Sequence, residues 1–401
     1  MIPVMRQYMA FPQRFSNLPE YAFPRLRGLL GAYPAGGPVI DMTIGEPKHA
    51  MPDFVGAVLA EHIKGFGVYP PNDGTPELLA AMAAWVGRRY GVALDPARQI
   101  MALNGSREGL FGATLALCPE EKAGGRPVVL IPNPFYQVYA VGALSAGAEP
   151  VFLPATAETG FLPDFGAVPD AVLDRVAIAF LCSPSNPQGA VAGRAYWAGL
   201  IALAEKHDFL IFADECYGEV YRDTPPVGAL QVAAEMGAHP DRVVSFFSLS
   251  KRSNLPGLRS GFVAGGAGAL ARIKQLRAYA GAPLPLPVQR VSERVWADEA
   301  HVDASRTLYQ EKFALVDRIM AGVPGYAGPG GGFFLWLPVE NDEAAALRLW
   351  RETGVRVLPG GYLGREVGGI NPGQTYIRVA LVAPGEEVQR GITLIRDCLY
   401  R

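Results

Sequence analysis

Lys251 stands three residues after Ser248 and eight before Arg259, in the stretch V-V-S-F-F-S-L-S-K-R-S-N-L-P-G-L-R-S-G from Val243 to Gly261. The stretch opens with an apolar run, Val243–Phe247, that reads as a buried strand. It then breaks into a polar loop that carries Lys251. A lysine at the end of a buried strand is partly desolvated, which lowers its pKa and frees the amine as a nucleophile toward an aldehyde. A serine and an arginine close by suit a phosphate dianion, because a guanidinium fork matches phosphate geometry. Taken alone, Lys251 also reads as a solvated loop lysine, so the rest of the chain has to separate the two readings.

A phosphorylated aldehyde cofactor needs further groups: an acid to keep its ring nitrogen protonated, donors to its phenolic oxygen, an aromatic face and a phosphate cup. Asp214 ends the apolar run Phe209–Ala213. A carboxylate there is costly without a partner, and a protonated pyridine would be one; a helix N-cap is the ordinary alternative. Asn186, in S-P-S-N-P, reads alone as a turn residue before proline. Tyr217 and Tyr136 read alone as packing. Arg378 lies inside a β-like run, where an arginine is unusual unless it faces a ligand or an ion-pair partner. Gly45 lets backbone approach a ligand closely, or simply makes a tight turn. Asn104-Gly105-Ser106-Arg107 joins a strand to a helix with Ser106 as N-cap, and the free N–H groups there suit an anion.

These residues depend on a repeated strand–loop–helix pattern. Strands are expected at Gln99–Leu103, Val128–Ile131, Val151–Leu153, Val176–Leu181, Phe209–Ala213, Val243–Phe247 and Gly261–Ala264. Helices are expected at Pro76–Tyr90, Tyr139–Ala146 and Tyr196–His207. Strands apolar on both faces imply an α/β unit with a mostly parallel sheet, and ligands of such sheets sit beyond the carboxyl ends of the strands. Tyr136, Asn186, Asp214 and Lys251 all fall just past strand ends. Further on, Leu286–Met320 reads as one long helix. A strand in Phe333–Leu337, a helix near Glu343–Gly354, a strand Val355–Leu358 and a strand Tyr376–Leu381 read as a smaller α+β unit. The expected division is 1–45 as an arm with part of the small unit, 46–285 as the large unit, and 286–401 as linking helix and small unit.

The 401 residues exceed single-core size. Half are apolar and 18% charged, with 36 basic against 38 acidic side chains. That balance argues against a nucleic-acid partner, and no apolar run reaches membrane-spanning length. Cys118, Cys182, Cys216 and Cys398 match no zinc or disulfide spacing, and the five histidines show no paired-ligand spacing, so no metal is expected. The cysteines read as the reduced thiols of a cytoplasmic protein.

S-L-S-K with Arg259, S-P-S-N-P-Q-G and D-E-C-Y together resemble the motifs of the class I/II pyridoxal-phosphate aminotransferases of fold type I, over nearly the whole chain. The resemblance implies Lys251 as the lysine that holds the cofactor and acts as general base, and Asp214 as partner of the ring nitrogen. It implies Asn186 and Tyr217 as donors to the phenolic oxygen and Tyr136 as the stacking ring. Ser106, Arg107, Ser248 and Arg259 would hold the phosphate, with Tyr69 reaching in from a neighbouring subunit of a homodimer. Arg378, helped by Gly45 and Asn186, would hold the substrate α-carboxylate. A narrower resemblance, in N-G-S-R-E, P-N-P-F-Y-Q-V-Y and the late Asn371-Pro372-Gly373, is to the subfamily that acts on N-succinyl-L,L-2,6-diaminopimelate with 2-oxoglutarate in bacterial lysine synthesis. Relatives acting on aspartate, alanine or aromatic amino acids are the alternative. The chain departs from the subfamily pattern at Gln188 and at Ala280, where histidine is expected, and in the P-G-G-G-F-F strand entry. The first two departures are expected to touch the distal substrate pocket.

Overall fold

The computed structural model describes residues 13–401 except 17 and 19, so most of the expected N-terminal arm before Tyr21 lies outside the described residues. Twelve strands follow in the described chain: β1 (Ile40–Asp41), β2 (Ile100–Leu103), β3 (Val128–Asn133), β4 (Glu149–Pro154), β5 (Val176–Cys182), β6 (Leu210–Asp214), β7 (Val243–Ser248), β8 (Gly261–Gly265), β9 (Phe334–Pro338), β10 (Val355–Arg356), β11 (Leu358–Pro359) and β12 (Tyr376–Ala380).

Seven of them form one sheet in the order β2-β8-β7-β6-β5-β3-β4. Every pairing from β4 to β7 is parallel, while β8 runs antiparallel to both its neighbours. The expectation of a mostly parallel α/β sheet therefore holds, with β8 as the one reversed strand. Alternate residues feed two cores. Leu130, Ala179, Ile211, Val243 and Phe247 join Trp85, Trp197 and Trp296 on one face. Val129, Ile178, Phe180, Phe212 and Phe246 join Tyr139 on the other. Helices cover both faces, which is why β3, β5 and β7 are buried at every position instead of alternating.

Helix Pro76–Tyr90 follows its sequence signals closely. Thr75 caps it by accepting from Leu78 N–H, Pro76 opens it, and Gly91 ends it at φ 70°. Two expectations need correction. Leu286–Met320 is two helices, Leu286–Ala297 and Ala300–Met320: the chain turns out of the first at Asp298, whose carboxylate accepts from His301 N–H at 3.2 Å in the first turn of the second. The first of these helices packs Val291, Val295 and Trp296 into the large-sheet core. Val355–Leu358 is not one strand: Val355–Arg356 pairs parallel with β1, and Leu358–Pro359 pairs antiparallel with β12.

The second core surrounds the sheet β11-β12-β9. It takes Tyr309, Phe313 and Val316 from the long helix and Val388, Ile392 and Ile395 from Gly385–Leu399, an amphipathic helix that the strand-and-turn reading passed over. Ile40 and Met42 also belong to this core, so the chain just before Gly45 lies against the second unit.

Candidate active site

β7 delivers Ser248 and Lys251 together. Ser248 caps the one-turn helix Leu249–Arg252, its Oγ accepting from Ser250 N–H at 3.1 Å. Lys251 is thus on a helical turn and not in an open loop. Its neighbour Arg252 points the other way, between Trp85 and Trp296, and pairs with Glu299 at 2.9 Å. Successive side chains on a helix diverge by about 100°. Anchoring Arg252 in the core therefore turns Lys251 outward, over the carboxyl end of the sheet. There its Nζ donates to the Gly45 carbonyl and lies 5.3 Å from the Phe333 ring centroid. Burial lowers the ammonium pKa to about 8, and the Arg378 and Arg259 charges push the same way.

A cavity of about 310 Å³ opens at this point. Lys251, Asp214, Tyr217, Asn186, Tyr136, Ser106, Arg107, Ser248, Arg259, Arg378 and Gly45 all line it. Eleven of the twelve residues singled out from sequence thus share one cavity. Tyr69 does not: it is 99% exposed on its own chain. The lining carries four cationic side chains, Arg107, Lys251, Arg259 and Arg378, against the single carboxylate of Asp214. Such a wall suits a ligand bearing phosphate and carboxylate groups.

Asp214 ends β6 in register with Cys182 of β5 and Phe246 of β7, and is only 4% exposed. It caps no helix. One carboxylate oxygen accepts from Cys216 N–H at 3.3 Å; the other accepts from the Tyr139 hydroxyl at 2.7 Å. Burial raises its pKa, and these hydrogen bonds partly restrain the rise. Tyr139 lies stacked on Phe180 with ring centroids 4.3 Å apart. Sequence reasoning missed its contact with Asp214. Its only signal was a second tyrosine one helical turn after Tyr136 in P-F-Y-Q-V-Y.

The residues expected to hold a phosphate meet where β2 joins the helix Ser106–Leu117. Gly105, at φ 80° and ψ 159°, is the N-cap, so Ser106 sits at the first helical position and its hydroxyl is free to face the cavity. A backbone in that region is essentially restricted to glycine. A Cβ at Gly105 would also lie 2.3 Å from the Arg259 Nη2 atom. Arg259 reaches across this loop to donate to the Asn104 carbonyl at 3.4 Å, while Arg107 Nε donates to the Tyr136 hydroxyl at 2.6 Å. Gly105→Ala is therefore expected to cost about 1–3 kcal/mol in strain. It is also expected to weaken phosphate retention by displacing Arg259. Equilibrium dialysis of the variant against pyridoxal phosphate measures the second effect; unchanged affinity would remove this loop from the phosphate site.

Arg378 comes from the middle of β12. It is 5% exposed, and among the described residues no carboxylate pairs with it. Its Nη atoms donate to Asn186 Oδ1 at 2.9 Å and to the Thr43 carbonyl at 2.8 Å, its plane lies 4.2 Å from the Phe334 centroid, and its Nε has no partner. Burial lowers its pKa to about 10. A buried guanidinium without an anion is costly. Such a site suits a carboxylate brought by a ligand. Gly45 sits beside it with no room for a side chain, since a Cβ there would meet Phe334 at 2.3 Å.

Neither sequence departure reaches this cavity. Gln188 is buried in a small neighbouring cleft that shares Cys182 and Asn186 with the cavity, and Ala280 lines an apolar cleft with Leu103 and Leu276. Among the described residues no cluster could hold a metal ion, and no helix is long and apolar enough to cross a membrane.

The family profile described as Aminotransferase class I and II matches residues 37–395. An LL-diaminopimelate aminotransferase of Desulforudis audaxviator is 32% identical, over 97% of this chain and 98% of its own. An aminotransferase crystal structure from Neisseria meningitidis superposes with a TM-score of 0.92 at 38% identity, covering 97% of this chain and all of the other. A probable N-succinyldiaminopimelate aminotransferase from Thermus thermophilus superposes at 0.82 with 29% identity, over 94% of this chain and all of its own.

Proposed function

Since the chain belongs to the class I and II aminotransferases, whose members use pyridoxal phosphate, we propose that it moves the amino group of N-succinyl-L,L-2,6-diaminopimelate to 2-oxoglutarate. The observation that carries the amino-acid part of this reading is Arg378, a buried guanidinium without an anion in the same cavity as Lys251. The succinylated substrate is supported by the sequence motifs and by the name of the Thermus relative. The curated relatives named for LL-diaminopimelate support a second reading, the same carbon skeleton without the succinyl group.

The residues fit the cofactor. Ser106, Ser248, Arg107 and Arg259 would hold its phosphate, and Asp214 its ring nitrogen. Asn186 and Tyr217 would meet its phenolic oxygen, Tyr136 its face and Lys251 its aldehyde. When bound, pyridoxal phosphate supplies an electron sink for the charge left at the substrate α-carbon.

The chain's own groups do the rest. Arg378 and Asn186 hold the α-carboxylate and so fix which α-bond faces Lys251. Lys251 Nζ takes the α-proton and returns it within the same site, which its lowered pKa permits near neutral pH. Asp214, oriented by Tyr139, would present its carboxylate to the ring nitrogen. Phe334, Ile44 and Phe23 wall the cavity with apolar surface that limits water. We further propose a homodimer in which the exposed Tyr69 completes the partner's phosphate cup.

A coupled assay of glutamate formation from 2-oxoglutarate tests the substrate. The highest kcat/KM is expected for N-succinyl-L,L-diaminopimelate, ahead of LL-diaminopimelate, aspartate, alanine and phenylalanine. A lead for LL-diaminopimelate selects the second reading; a lead for aspartate or phenylalanine removes both.

A further inference from the structure

A second cavity, of about 760 Å³, adjoins the first, and Tyr21, Phe23 and Ile44 line both. Its remaining wall includes Arg27, Leu30, Tyr33, Asp41, Thr43, Trp350 and Arg356. Two elements run from the catalytic cavity into it. On helix Ala22–Gly31, Phe23 and Arg27 are one turn apart and share a face. Along the chain, Gly45 borders Lys251, while Thr43 and Asp41 border the second cavity, a span of at most about 14 Å.

Polar contacts connect the two cavities. Thr43 accepts from Arg378 through its carbonyl and donates to Asp41 through N–H at 3.0 Å and hydroxyl at 2.6 Å. Asp41 in turn pairs with Arg356 at 3.4 Å, and Arg356 lies over the Trp350 ring. Asp41 and Arg356 therefore satisfy one another. Arg25, two positions before Arg27 on the same helix, is also committed: it pairs with Glu343 at 2.8 Å and stacks over Tyr362. Arg27, an exposed side chain, has no hydrogen bond or ion pair among the described residues. The chamber thus offers apolar wall for a long aliphatic chain, one internally satisfied ion pair, and one unpaired guanidinium in its lining.

We propose that this chamber is the subsite for the amino-acid side chain, and that Arg27 binds an anionic group at its distal end. The inference rests on the aminotransferase reading of the adjoining cavity and narrows its substrates to long-chain amino acids ending in a carboxylate. Arg378 would fix one acid group and Arg27 the other, so both reach and charge select the donor.

Two probes of equal length separate these terms: 2-aminopimelate, which ends in a carboxylate, and 2-aminoheptanoate, which ends in a methyl group. The holoenzyme is expected to favour the first in kcat/KM. Arg27→Met is expected to reduce that preference about tenfold or more, through KM, as expected for losing a hydrogen bond to a charged group. Arg27→Glu is expected to shift preference toward lysine, which ends in an ammonium. Because each readout is a ratio within one protein, a loss of active enzyme does not mimic it. Calorimetric titration of the holoenzyme with pimelate and heptanoate gives a second readout, with pimelate expected to lose its advantage in Arg27→Met. An unchanged ratio in Arg27→Met, or no preference in the parent enzyme, overturns the subsite while leaving the aminotransferase reading intact. Failure to turn over any amino donor removes both.

Discussion

Lys251→Ala is expected to abolish the visible absorption of covalently attached cofactor and to lower turnover by about four orders of magnitude, the upper range for a positioned acid–base group. Among the described residues Lys251 is the only lysine lining the cavity, so no neighbouring lysine replaces it. The loss should be partly restored by a small added amine, which fits the space the side chain vacates. The parent protein offers a test of the same atom by pH. Lysine ordinarily titrates near 10.5, and burial brings Lys251 down to about 8. Only the neutral amine attacks an aldehyde, so attachment of pyridoxal phosphate to the cofactor-free protein should quicken as pH rises and level off above about 8. At pH 7 roughly a tenth of the amine is neutral, against well under a thousandth for an unperturbed lysine. A variant that keeps the absorption band and full turnover, or an attachment rate flat with pH, would remove Lys251 from this role.

Arg378→Met should leave folding intact and cripple substrate binding. The side chain is buried, it lacks an anionic partner among the described residues, and its Nε is unsatisfied. Methionine fills similar space against Phe334 and removes a desolvated charge. Two hydrogen bonds, to Asn186 and Thr43, are lost in exchange. The midpoint of thermal unfolding of the cofactor-free protein is therefore expected to hold or rise. The amino donor loses a desolvated charge-paired contact worth about 3 kcal/mol, so kcat/KM falls roughly a hundredfold, mainly through KM. Arg378→Lys should recover only part, because an ammonium cannot make the two parallel hydrogen bonds of a guanidinium. A fall in stability with unchanged KM would make Arg378 a structural residue.

The sequence by itself determined the parallel strands and the residues at their ends. A strand covered on both faces must be apolar throughout, so β3, β5, β6 and β7 stood out as uninterrupted runs, and the polar residues that followed them marked the ligand side of the sheet. Lys251, Asp214, Asn186 and Tyr136 were legible for that reason. Local capping was equally legible at Thr75, where proline and threonine act on their own neighbours.

Other features were decided only when distant segments met. Gly105 displaced Ser106 as cap because Arg259, far along the chain, occupies the space a side chain would need. The turn carrying Lys251 is helical and faces outward because Arg252 is drawn between two tryptophans from separate helices. The strand read at 355–358 divides because its two halves pair with different partners, one of them at Ile40. Tyr139 serves Asp214 through an orientation that no spacing encodes. Side-chain burial has a period along the chain and can be read from it. The direction a polar group faces depends on which partners arrive through space, and that is fixed only by the packed chain.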